Sequence, residues 1–211
     1  MARSLDAAER LALRVDPRRW ALVIGGLIAF LGVMGILRFA HKDALRLFNL
    51  DGERNIPSAF SGLLWLVVAL LAYLVGRAET GRALAWKVLA VLFVLLAIDE
   101  VAEVHEHLQY YAGVDWQLLY LPVGLLAAIA WVAAGRDLHR IGAGLWPFVG
   151  ATVCGLLAQP LEALEIDSHH NPRRGFRVMV VSEEVLEMLA GLLLTIAFIG
   201  ALRSLRARSA A

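Results

Sequence analysis

Six apolar runs, at about residues 20–40, 58–77, 84–107, 116–135, 141–166 and 179–202, constrain this chain more than any other feature. A hydrocarbon core about 30 Å thick takes roughly 20 helical residues to cross, and each run reaches that length. Inside lipid every backbone N–H and C=O must be paired within the protein, so an open run of this kind is read as a helix. The expectation is an all-α, polytopic bundle of about six transmembrane helices. With 211 residues, 60% of them hydrophobic, the connections are too short for a soluble domain beside it. The chain then divides into a basic amphipathic lead-in at 1–19, a six-helix membrane domain at 20–202 and a basic tail at 203–211. The first run is too long for a signal-peptide core and has no convincing small-residue cleavage site, so it is expected to remain as the first span.

Charge placement carries more information than the net charge of +1, which points neither to nucleic acid nor to an acidic partner. With the amino terminus inside, thirteen Lys and Arg residues fall on the inner side and seven on the outer. By the positive-inside rule both termini are cytoplasmic. Trp20, Trp86, Trp116, Trp131 and Trp146 lie near run ends, where indole rings rest among headgroups. The single cysteine, Cys154, forms no intrachain disulfide and reads as a small packing residue.

The same topology puts 14 of 19 acidic residues and five of six histidines at the outer face. Three runs contribute there. The third ends in Asp99, Glu100, Glu103, His105, Glu106 and His107; the fifth ends in Glu162, Glu165, Asp167, His169 and His170; the sixth opens with Glu183, Glu184 and Glu187. At about 100° per residue, Asp99, Glu103, Glu106 and His107 share a stripe with Glu100 at its border. Glu103/His107, Glu165/His169 and Glu183/Glu187 are each four apart, near enough for both members to grip one ion. Mixed carboxylate and imidazole donors suit iron, manganese or zinc. The expected metal ligands are Glu100, Glu103, His107, Glu162, Glu165, His169, Glu183, Glu184 and Glu187. Soluble di-iron bundles use the same chemistry, but their Glu-x-x-His spacing is absent here.

An ionised group at bilayer depth costs about 2.5–3.5 kcal/mol even on the lenient insertion scale, so a buried cluster needs a compensating cation or shared protons. Metal binding with a lipid-borne substrate, by a metal-dependent hydrolase or oxidoreductase, is one class of function. Proton or cation translocation is a second, with Tyr73, Thr152 and Thr195 as a sparse polar path. A structural or accessory subunit that uses the cluster for docking is a third. For any single residue, a solvated helix end accounts for the charge equally well.

Two more segments carry expectations. Asp51, Glu53 and Asn55 alternate as a calcium loop begins, but the later ligand is missing, so a turn capped by Asn55 or Ser58 with Pro57 in the first helical turn is the plainer reading. Residues 38–50 read as a short amphipathic interfacial helix, and Pro160 as a kink or break before Glu162. Gly25, Gly26, Gly32 and Gly35 are expected to admit close helix packing.

The opener Asp51-Gly52-Glu53-Arg54-Asn55-Ile56-Pro57-Ser58, the pairs Asp99-Glu100 and His105-Glu106, and Glu183-Glu184-Val185-Leu186-Glu187 together resemble a family of uncharacterised prokaryotic multi-pass membrane proteins. The resemblance covers residues 50–190 and implies topology alone. Rhodopsins do not match, because Lys87 sits at a cytoplasmic edge. The ceramide hydrolases share the idea of an intramembrane histidine and carboxylate site without this histidine pattern.

Overall fold

The computed structural model of the chain describes residues 2–41, 43–50, 52, 54–78, 82–102, 104, 111, 116–165 and 175–210. Among these residues there are seven α-helices and no strand: α1 Ala2–Arg14, α2 Pro17–Arg38, α3 Ile56–Ala78, α4 Ala83–Ala102, α5 Trp116–Ile141, α6 Leu145–Glu165 and α7 Phe176–Ser209. Four segments are long and apolar enough to cross a membrane: α2, α3, residues 120–141 of α5, and α7. The two other expected spans also form helices. In α4 the 20 residues carry Lys87, Asp99 and Glu100, and α6 offers the shorter apolar stretch Leu145–Leu161.

α7 is the axis of the bundle, in contact with α1, α2, α3, α5 and α6. Close pairs give the directions. A Cβ on Gly25 would meet Leu192 at 3.8 Å and one on Gly32 would meet Val185 at 3.0 Å, so α2 runs antiparallel to α7. Gly62 faces Ala97 and Val101 while Gly76 faces Trp86, which makes α3 and α4 antiparallel as well. Of the four glycines expected to pack closely on α2, Gly32 and Gly35 do so, Gly25 makes ordinary contact, and Gly26 faces open space. Outward faces are apolar, with Leu22, Leu63, Val91, Ile129 and Leu156 all more than half exposed. Such a continuous apolar exterior belongs in lipid.

The centre is aromatic. Trp65 stacks on Phe93 at 5.7 Å, Trp131 stacks on Phe148 at 4.5 Å, and Trp86 meets Phe198 edge-on at 5.1 Å. Phe93 and Phe148 both approach Phe198, at 6.3 and 6.5 Å, so one network joins α3 to α7. Each such pair adds about 0.5–1.5 kcal/mol beyond its buried area. This corrects the headgroup role expected for two tryptophans. Trp86 is fully buried, and Trp131 donates its indole N–H to Thr152 Oγ1 at 3.0 Å. Trp146, 81% exposed, keeps the position of an interfacial anchor.

Three further expectations change. Residues 38–50 form a single 3-10 turn at Arg46–Phe48 in place of an amphipathic helix, and Leu50 folds back into the core against Gly35. Apolar packing inside the bundle wins over exposure at an interface. The helix α6 runs through Pro160 to Glu165 without breaking. The lead-in is helical as expected, but it docks on the bundle and places Ala12 in the core. Asp6 pairs with Arg77 at 3.3 Å, Glu9 pairs with Arg206, and Arg203 donates to the carbonyls of Leu13 and Val15.

The cap of α3 is as anticipated and reciprocal. Asn55 Oδ1 accepts from the Ser58 N–H, and Ser58 Oγ accepts from the Asn55 N–H, both at 3.1 Å. Asn55 Nδ2 also donates to the carbonyls of Asn49 and Gly52, so one side chain organises the α2–α3 connection.

The end of the bundle where α3, α5 and α7 finish is basic, and there Asp137 is fully buried. Its carboxylate accepts from Arg82 Nη1 at 2.9 Å, from Trp86 Nε1 at 3.1 Å and from Arg140 Nη2. Replacing it by Ala orphans a buried indole N–H and separates α4 from α5, with an expected loss of about 1–3 kcal/mol. Asp137→Asn keeps a carbonyl acceptor and costs less; thermal unfolding of the two variants in detergent gives the order. The α5–α6 turn supplies a second test. Gly144 has φ +80°, and a Cβ there would run into the Ala197 carbonyl on α7. Gly144→Ala is expected to cost about 1–3 kcal/mol or more, whereas Gly26→Ala should stay within about 0.5 kcal/mol in the same assay.

Candidate functional site

At the other end of the bundle the carboxylates approach α3. Gly62 on α3 packs so closely on α4 that its Cβ position lies 4.0 Å from Glu100 Cβ. Gly191 on α7 receives Leu64 of α3, at 2.9 Å from a would-be Cβ. Glu187 precedes Gly191 by four residues, and Ser61 precedes Leu64 by three. At 1.5 Å rise per residue both lie roughly 5–6 Å further toward the acidic end, on facing sides of α7 and α3. Glu100 and Glu183, Glu184 and Glu187 are all half-buried, neither sealed in the core nor displayed to solvent. Each of the four has an interaction partner. Ser61 is 1% exposed, and its hydroxyl has no hydrogen-bond partner among the described residues. Local sequence explains the depth: α7 passes from Phe176 through Val180 and Val181, both buried, before reaching the glutamates.

The nine expected ligands therefore fare differently. Glu100, Glu183, Glu184 and Glu187 stand on two helices that both pack against the opening turns of α3. Glu162 and Glu165 fall in the last turns of α6, with only their backbone described. Glu103, His107 and His169 lie outside the described residues, as do Asp51 and Glu53 of the α2–α3 connection. Among the described residues no three His, Cys, Asp or Glu side chains are close enough to hold a metal ion. Spacing of four along one helix aligns side chains on a face, but closure around an ion depends on how neighbouring helices approach, and the described glutamates alone do not close. Arg177, in the first turn of α7, has its guanidinium 5.3 Å above the Phe39 ring.

The polar path from this end is interrupted. Thr195 Oγ1 donates to the Gly191 carbonyl of its own helix at 2.9 Å, and Thr152 Oγ1 donates to the Phe148 carbonyl at 2.9 Å while accepting from Trp131. Tyr73 packs against the hydrophobic core.

The residue that sequence reasoning missed is Asp137. It was counted with the few acids of the inner side, but it is the fully buried acid among the described residues, held by two arginines. Part of the signal is local, since Asp137 and Arg140 are three apart on one helix, whereas Arg82 is 55 positions away.

No curated protein and no solved structure matches the chain. A family match covers residues 21–201, nearly all of the membrane domain together with the half-buried glutamates and the buried aspartate. The chain thus belongs to the family described as a domain of unknown function, DUF8692.

Proposed function

We propose that the protein is a six-span membrane protein with both termini on the cytoplasmic side and a metal-binding site at its outer, carboxylate-rich end. The orientation rests on the excess of Lys and Arg at the end where α1 docks. One arrangement carries the site: α4 and α7, which bear the half-buried Glu100, Glu183, Glu184 and Glu187, both pack against the opening turns of α3, where the buried Ser61 hydroxyl has no hydrogen-bond partner among the described residues. A hydroxyl enclosed without a partner costs about 1–3 kcal/mol, which a metal-bound water or the ion itself would recover.

In this reading Glu100, Glu183, Glu184 and Glu187 supply carboxylates, and the remaining ligands come from Glu103, His107, Glu162, Glu165 and His169. Iron, manganese or zinc fits such a donor set. A metal bound there would supply Lewis acidity or redox chemistry toward a lipid-borne substrate, as in a membrane hydrolase or oxidoreductase. Proton or cation passage draws no support from Thr152 or Thr195, whose hydroxyls are committed to their own helices.

Elemental analysis of detergent-purified protein tests the reading. Wild type grown with iron, manganese and zinc should carry close to stoichiometric metal, and Glu183→Gln/Glu187→Gln should lose it while remaining folded. Chelation of wild type should lower stability by about 2.7 kcal/mol if free metal had stood at a hundred times Kd. Metal-free wild type whose melting temperature ignores chelators would sink the proposal.

A further inference from the structure

The opposite end of the bundle holds a different kind of site. Beside the Asp137 network is a cavity of about 580 Å³ bordered by Arg82, Arg136, His139 and Arg140, with Val132 and Leu145 in its walls. We infer that this cavity binds the phosphate headgroup of an anionic phospholipid, whose acyl chain lies along α5.

Charge is the first argument. Arg82, Arg136 and Arg140 all border one opening, and the acid among them is turned inward. Asp137 is 0% exposed, behind Arg82 and Arg140, whose side chains remain 38% and 56% exposed. The carboxylate therefore holds two arginines side by side without presenting its own charge to the opening. A guanidinium has five N–H donors in a planar fork that matches phosphate oxygens, and Asp137 accepts one bond from each of the two arginines. Arg136 and His139 are exposed and take no part in the Asp137 bonds.

The apolar wall decides between a lipid and a free phosphate. Val132 continues a stripe of Leu125 and Ile129 on α5, spaced four and three apart and exposed by 60%, 71% and 53% for Leu125, Ile129 and Val132. One helix face thus leads from the arginines directly down the apolar exterior. Trp146, next to Leu145, stands 81% exposed at the same end and marks the headgroup depth. A basic pocket between helices above an apolar stripe fits both halves of a phospholipid. This inference is independent of the carboxylate end.

The test uses purified, delipidated full-length protein, titrated with short-chain phosphatidylglycerol, with phosphatidylcholine of equal chain length, and with inorganic phosphate, and read by melting temperature. Phosphatidylglycerol should raise the melting temperature well above the other two. Arg136→Gln should weaken phosphatidylglycerol binding roughly fivefold, read as the lipid concentration needed for a given rise, the factor for one arginine beside an anionic lipid. Arg136→Gln/His139→Gln should weaken it further, with the lipid-free melting temperature unchanged. Arg10→Gln, an exposed charge on α1, should bind as wild type does. Equal responses to both lipids, an equal response to inorganic phosphate, or equal weakening by Arg10→Gln would each overturn the inference. Should Arg136→Gln lower the lipid-free melting temperature, native mass spectrometry of wild type decides: retained phosphatidylglycerol in preference to phosphatidylcholine supports the site, and no preference overturns it.

Discussion

Close approach of neighbouring helices to α7 is the constraint on which this bundle depends. In lipid the hydrophobic effect does not draw helices together, because acyl chains are as apolar as leucine, and contact must come from packing. α7 accordingly carries Ala190, Gly191, Ala197, Gly200 and Ala201 where partners press in. Leu64 occupies the space beside Gly191, and the α5–α6 turn lays Gly144 against the Ala197 backbone. Between these small residues Phe198 projects as the one aromatic ring, and Trp86, Phe93 and Phe148 gather on it. Small and large positions alternate along one helix, so that gaps and rings interlock.

The two ends of that axis treat charge in opposite ways. At the basic end acids are few and each described one is matched: Asp6 by Arg77, Glu9 by Arg206, Asp137 by Arg82 and Arg140. At the other end carboxylates accumulate on two helices that share a neighbour. A buried aspartate among arginines is an internal brace that also arranges cationic groups at the surface. The glutamates of α4 and α7 are instead only half-buried. The net charge of +1 conceals this division.

Much of the fold is legible in the sequence because run length and local chemistry are short-range properties. The spans appear as helices close to their expected bounds, and the Asn55 and Ser58 cap follows from side chains competing for the first N–H groups of α3. What could not be read depends on partners distant in sequence. Trp86 and Trp131 sit where interfacial tryptophans usually sit, yet their indoles find Asp137 and Thr152 inside. Leu50 lies among charges, and only Gly35 on another element makes room for it. The glutamates on α7 were visible as a face, but periodicity alone says nothing about which helix that face meets. Pro160 lacks one N–H, and α6 continues through it.

The docking of α1 has a consequence for the order in which the protein is made. Glu9 and Arg206 are 197 positions apart, and Arg203 reaches back 188 positions to the Val15 carbonyl. Asp6 meets Arg77 of α3 after only 71 positions, but the contacts of Glu9, Leu13 and Val15 wait for α7. Long-range closure of this kind comes late in folding, after local helices have formed. Until then Glu9 lacks Arg206, and the carbonyls of Leu13 and Val15 lack Arg203. The clasp between α1 and α7 is thus the last of the described contacts of α1 that a growing chain can complete.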